Sequence, residues 1–153
     1  MSYLILKLIH VISSTILFGT GIGSAFYMLR ANQTKNLNAM LFAAKNVVLA
    51  DWLFTTPAVI IQPLTGLWLV HIAHYPLLSH WIFWSIILYI LIGMCWLPVV
   101  WLQIKVRDML TVAIKANESL PEKYYHYMRI WFWLGWPAFI AIIIIFGLMV
   151  FKP

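Results

Sequence analysis

Residues 130–151 read "IWFWLGWPAFIAIIIIFGLMVF", without a single charge. A helix crossing the hydrocarbon core of a bilayer needs about 20 predominantly apolar residues, and this stretch supplies them. The chain around it has 153 residues, 64% of them hydrophobic and only 9% charged. A soluble domain carries about 25% charged residues, so lipid is the expected solvent. Three more runs of the same kind precede it, at about 3–29, 47–72 and 80–103. Barrel strands would be about 10 residues long and alternate polar with apolar; these runs do not. The expected fold is all-α, a four-helix transmembrane bundle with short connections, formed by a single integral membrane domain over residues 1–153.

The formal charge of +6 is read as topology rather than as a nucleic-acid site. Arg30, Lys35 and Lys45 lie in or beside the first connection. Lys105, Arg107, Lys115, Lys123 and Arg129 lie in or beside the third. The opposite side has only Lys7, Lys152 and the charge-free second loop "HIAHYPLLSH" at 71–80. The positive-inside rule puts the basic loops in the cytoplasm and both termini outside. The third loop is expected to continue the third helix and then turn, at "NESLPEKYYHYM", into the fourth. The one cysteine, Cys95, excludes an internal disulfide. The first apolar run is too long for a signal core and is followed by no small-residue cleavage site before Arg30.

His10 lies inside the first run, where an ionisable residue is by default a functional candidate. At about 100° per residue it shares a helix face with Ser13, Ser14, Leu17, Gly21, Ser24 and Met28. Small residues mark close contact with another helix or a flat ligand, so this face is expected to point into the bundle. Gly19 and Gly23 form a GxxxG pair on the opposite face, a spacing that suits helix contact within a bundle or in a homo-oligomer.

His71, His74 and His80 bound the second loop on the same side of the membrane as His10. Neutral imidazole is the commonest protein metal ligand, and bundle cores carry cofactors between facing helices. His10 is thus a candidate haem ligand, with His71, His74 or His80 as a second axial ligand and Lys7 placed to pair a propionate. His71 and His74, three apart, share a side if the helix continues. Alternatively, the outer histidines handle copper or zinc, with Met28 or Met94 as soft ligands. His126, between Tyr125 and Tyr127, reads as interfacial.

The second run, "LADWLFTTPAVIIQPLTGLWLV" at 49–70, has Pro57 and Pro63 inside it. Each removes a backbone hydrogen bond and kinks the helix. Thr55, Thr56 and Gln62 are expected to satisfy the freed carbonyls. Asp51 reads either as a charge at the helix start, paired with Lys45, or as a proton-relay or gating carboxylate. Pro98 and Pro137 interrupt helices three and four. The run "AFIAIIIIFGLMVF" at 138–151 is expected to face lipid.

The segments "YLILKLIHVISSTILFGTG", "DWLFTTPAVIIQPLTGLWL" and "PAFIAIIIIFGLMVFKP" resemble a bacterial family of small integral membrane proteins of unknown function. That family is in turn similar to the HemJ-type protoporphyrinogen oxidases. Shared elements are four spans, a KxxH element (Lys7–His10), a TTP element opening helix two and a short charged C-terminal end. The resemblance implies haem b bound through His10; Lys7, one turn away, and Ser14 and Gly21, on the same helix face, are expected beside it. It also implies residence in the bacterial inner membrane, and electron transfer or a haem-linked redox step with quinone or a membrane redox partner. Helix three departs from the pattern: "SHWIFWSIIL" carries no lysine. The basic position ending helix one is also displaced, at Arg30. The resemblance therefore extends more readily to haem binding than to the oxidase reaction. A non-catalytic assembly subunit and a porphyrin-oxidising enzyme are the further alternatives.

Overall fold

The computed structural model describes residues 2–153. Helix α1 spans Ser2–Gln33, α2 Leu37–Ala50, α3 Thr56–Ile72, α4 His80–Ala116 and α5 Glu122–Phe151. A π-helical turn, Asp51–Thr55, joins α2 to α3, so these form one continuous rod. Four helical rods are long and apolar enough to cross a membrane, and the described residues contain no strand.

Local chemistry sets the ends. Asn36 caps α2, its side-chain oxygen accepting the N–H groups of Asn38 and Ala39. The second rod thus begins well before Val47. Asp51 lies deep within it, buried, and not at a helix start. Among the described residues the one ion pair is Arg107–Asp108, so the expected Asp51–Lys45 pair does not form. At the other end of this rod His74 adopts a left-handed conformation, φ 54°. Tyr75 N–H then donates to the Val70 carbonyl and His74 N–H to His71, which closes α3. The helix therefore stops short of His74, and His71 and His74 do not share a helical face. Asn117 ends α4 in the same way, with Glu118 N–H donating to Ala113.

The π-turn has a cause in the sequence. Pro57 has no N–H to give the Leu53 carbonyl, and just before it Thr56 N–H reaches five residues back to Asp51. The wide turn leaves Asp51 and Thr55 both buried, with the Thr55 hydroxyl donating to the Asp51 carboxylate at 2.8 Å. Pro63 likewise frees the Val59 carbonyl. Tyr89 on α4 satisfies it, Oη donating at 2.6 Å. Two of the three residues expected for that task are engaged elsewhere: Thr55 with Asp51, and Gln62 with His10 and Ser13.

α1 packs on α3, α4 packs on α5, and α2 touches both α1 and α4. Met28, Met40, Val47, Val106, Leu110 and Tyr124 form a tight core at the end that bears the basic loops. Tyr124 donates to Asn32 Oδ1 at 2.6 Å, tying α5 to α1 there. Farther along, α3 and α4 do not pack closely backbone to backbone, and a cavity opens between the two helix pairs.

Candidate functional site

His10 turns toward α3, not toward the histidines of the second loop. Thr65 Oγ1 donates to the Ile61 carbonyl at 2.7 Å, which leaves its lone pairs to accept from His10 Nδ1–H at 2.9 Å. The Gln62 amide donates to His10 Nε2 at 3.1 Å and accepts from the Ser13 hydroxyl. This pattern sets a neutral imidazole with its proton on Nδ1 and its basic nitrogen on Nε2. Gly66 makes room for the ring: a Cβ at that position would stand 3.1 Å from His10 Cε1.

The cavity has a volume of about 380 Å³, within the ordinary range for small-molecule sites. Ser14, Leu17, Gly21 and Ser24 line it from α1, while Ser13 and Met28 are buried. The face expected to point inward does so. Gln62 lines the cavity and His10 does not, so Gln62 stands as the link between Nε2 and the cavity. Phe139, Ile142, Ile145 and Phe146 supply another wall, so the run 138–151 does more than face lipid. Its periodicity is that of any apolar helix, and only the neighbours distinguish its two sides.

Four lining residues each present a buried polar atom with no hydrogen-bond partner: Asp51 Oδ2, Gln103 Oε1, Trp96 Nε1 and Trp131 Nε1. Asp51, Gln103 and Trp131 are only 5%, 3% and 6% exposed. Gln103 lies beside the Asp51 carboxyl without normal hydrogen-bond geometry to it. Buried polar groups are almost always paired; all four of these atoms are covered by protein, and those of Asp51 and Gln103 are neighbours. Sequence reading singled out Asp51 alone of the four. The indoles and Gln103 look like ordinary interfacial or helical residues until the fold brings them together.

The lining residues that are themselves exposed are Gly21 and Ile22 on α1 and Gly135 and Trp136 on α5. The mouth therefore opens sideways between α1 and α5, where lipid would lie.

The other expected site residues are dispersed. Lys7, His71, His74, His80 and His126 are exposed. Among the described residues no three His, Cys, Asp or Glu side chains gather as a metal site. The set His10, His71, His74 and His80 is thus not assembled as a metal centre. Met28 is buried in the core at the basic end and Met94 is 67% exposed. A Cβ on Gly19 or Gly23 would meet nothing within 4 Å, so the GxxxG pair makes no close helix contact within the chain. At the end away from the basic loops Lys152 Nζ lies over the rings of Tyr75 and Trp81, which holds the C-terminal residues against the second loop and the start of α4.

No curated protein and no solved structure matches the chain. A family model described as a predicted integral membrane protein matches residues 4–153. That agrees with the family expected from the segments of helices one, two and four. The chain belongs to the DUF2269 family of predicted integral membrane proteins.

Proposed function

We propose that this membrane protein takes a lipid-soluble ligand sideways out of the bilayer and holds it between its two helix pairs. The observation that carries this reading is the apolar cavity of about 380 Å³ between the helix pairs, whose exposed lining residues lie on α1 and α5. The test is organic extraction of protein purified in mild detergent, followed by mass spectrometry. A lipophilic compound present in stoichiometric amount, and lost in Gly93→Leu, is the expected result. Gly93 lines the cavity and a Cβ there meets nothing within 4 Å, so the larger side chain fills the space without disturbing packed neighbours. Equal recovery from both proteins counts against the reading.

A second reading is favoured by His10. Histidines that bind metal donate their other ring nitrogen to a fixed acceptor, and Thr65 is such an acceptor for Nδ1. In this reading Nε2 would hold the iron of haem b, and the Lys7–His10 KxxH element supports it. Haem would supply one-electron chemistry, with quinone or a membrane protein as redox partner. Gln62 must first give up Nε2, because its amide occupies that lone pair. A reduced-minus-oxidised visible spectrum of protein prepared with haem supplied tests it. A b-type spectrum that vanishes in His10→Ala is expected; a colourless protein excludes it. Under either reading the chain sits in the bacterial inner membrane with its basic loops in the cytoplasm and its termini outside, a placement supported by the skewed distribution of Lys and Arg.

A further inference from the structure

Of the four acidic side chains in the chain, Asp108, Glu118 and Glu122 are exposed and Asp51 alone is buried. The π-turn puts Asp51 and Thr55 on its inner side, and Oδ1 accepts from the Thr55 hydroxyl at 2.8 Å. Oδ2 has no partner, and neither has the amide oxygen of Gln103 on α4, which lies beside the carboxyl. In an ionised carboxyl both of these atoms are acceptors. Two buried acceptors side by side repel, and each forfeits a hydrogen bond.

No cation offsets an ionised Asp51. The π-turn packs on α1, α2 and α3. On α1, Arg30 bonds Gln33 at the basic end, Lys7 is exposed at the far end, and His10 is taken up by Gln62 and Thr65. Lys45 of α2 is exposed, and α3 contains no Lys, Arg, Asp or Glu. On α4, Lys105 lies over Trp101, Arg107 pairs with Asp108 and Lys115 is exposed. Lys123 and Arg129 of α5 are exposed. The titratable groups that share the cavity with Asp51 are Tyr89 and Cys95, neither of which supplies positive charge. An uncompensated carboxylate among apolar helices is costly. One proton on Oδ2 removes the charge and turns an unpaired acceptor into the donor that Gln103 Oε1 lacks.

We infer that Asp51 is a proton-binding carboxyl inside the membrane bundle, its Oδ2–H donating to Gln103 Oε1. The bond ties the second rod to α4 just before the stretch where α3 stands off from α4. When the proton leaves, the Gln103 amide turns round and its N–H group donates to the carboxylate, so the same two side chains serve both states. Thr55 donates to Oδ1 in each. The exchange makes and breaks a single O–H bond and needs no redox partner. It does not depend on what the cavity holds.

The test is the infrared spectrum of the detergent-purified protein at neutral pH. Exposed carboxyls ionise near about pH 4, so the three other acids contribute no carboxylic-acid C=O band there. One such band is expected, and it should be lost in Asp51→Asn. That variant keeps an oxygen for Thr55 and gains an N–H for Gln103, so its Tm should stay close to that of the wild type. Gln103→Leu and Thr55→Val each take one hydrogen bond from the same carboxyl, and each should shift the band. Should Asp51→Asn not fold, carbon-13 aspartate in the wild-type chain serves instead: Asp51 and the exposed Asp108 are its two aspartates, so a label-shifted acid band belongs to Asp51. A wild type without the band, or a band that survives in Asp51→Asn or ignores the label, overturns the proposal. A band unmoved in Gln103→Leu overturns the choice of acceptor. With rising pH the band should fall along a one-proton curve while circular dichroism reports an intact fold. A band that lasts until the protein unfolds overturns the two-state exchange. The readout is the carboxyl itself, so the yield of the ligand extraction bears on the cavity reading alone.

Discussion

At the basic-loop end, side chains of α1, α2, α4 and α5 interlock, and Leu110, Tyr124, Val106 and Met28 are almost wholly buried. One stretch farther along, the same long helices enclose about 380 Å³ of space. Composition does not separate the two regions, since both are built from aliphatic and aromatic residues. What differs is the number of helices available and their phase. α2 wedges between α1 and α4 only at the basic end. Beyond it the π-turn at Asp51–Thr55 re-phases the rod, and α3 leans on α1 while standing off from α4. One end holds the bundle together, which leaves the middle free to stay open.

Removing packing from the two regions should break or sharpen that contrast. The largest effect is expected for Leu110→Ala, which is fully buried and should lose about 2–5 kcal/mol. The matched change Ile142→Ala, on the cavity wall, should lose less than about 1 kcal/mol, because the space around it already exists. Reversible unfolding in mixed detergent measures both, and similar losses would erase the distinction. Gly66→Ala comes next. Its Cβ meets the His10 ring, so it should cost about 1 kcal/mol as an overpacked contact. The Nδ1–H signal of His10 in nitrogen-resolved NMR should shift as the bond to Thr65 is disturbed; an unmoved signal would mean that the ring does not depend on Gly66. The smallest effect, of opposite sign, is expected for Gly93→Ala. That helical glycine faces open space, so alanine should stabilise by about 0.5–1 kcal/mol, read in the same unfolding assay.

The two proline sites show how far sequence reading reached. Each proline announces a freed carbonyl, and that much is legible. Which group answers it is not, because the answer comes from another helix: Tyr89, on α4, for Val59. Asp51 was visible as an unusual charge, yet its burial depends on where the rod begins, and Asn36 starts that rod earlier than hydropathy suggests. His10 was legible as an inward-facing residue from its small neighbours. Its partners Gln62 and Thr65 lie more than fifty positions away, and no local pattern connects them.

Sequence alone determined the all-α class, the four apolar rods, the interior face of α1 and the separation of basic from uncharged connections. These follow from hydropathy, helical periodicity and charge, which act over one or two turns or along one span. Tertiary structure decided that, among the described residues, no three potential metal ligands gather, that His10 spends both ring nitrogens on α3, and that Asp51, Gln103, Trp96 and Trp131 line one cavity. Those outcomes depend on the relative rotation and spacing of whole helices, which packing at the far end of the bundle sets and no single segment encodes.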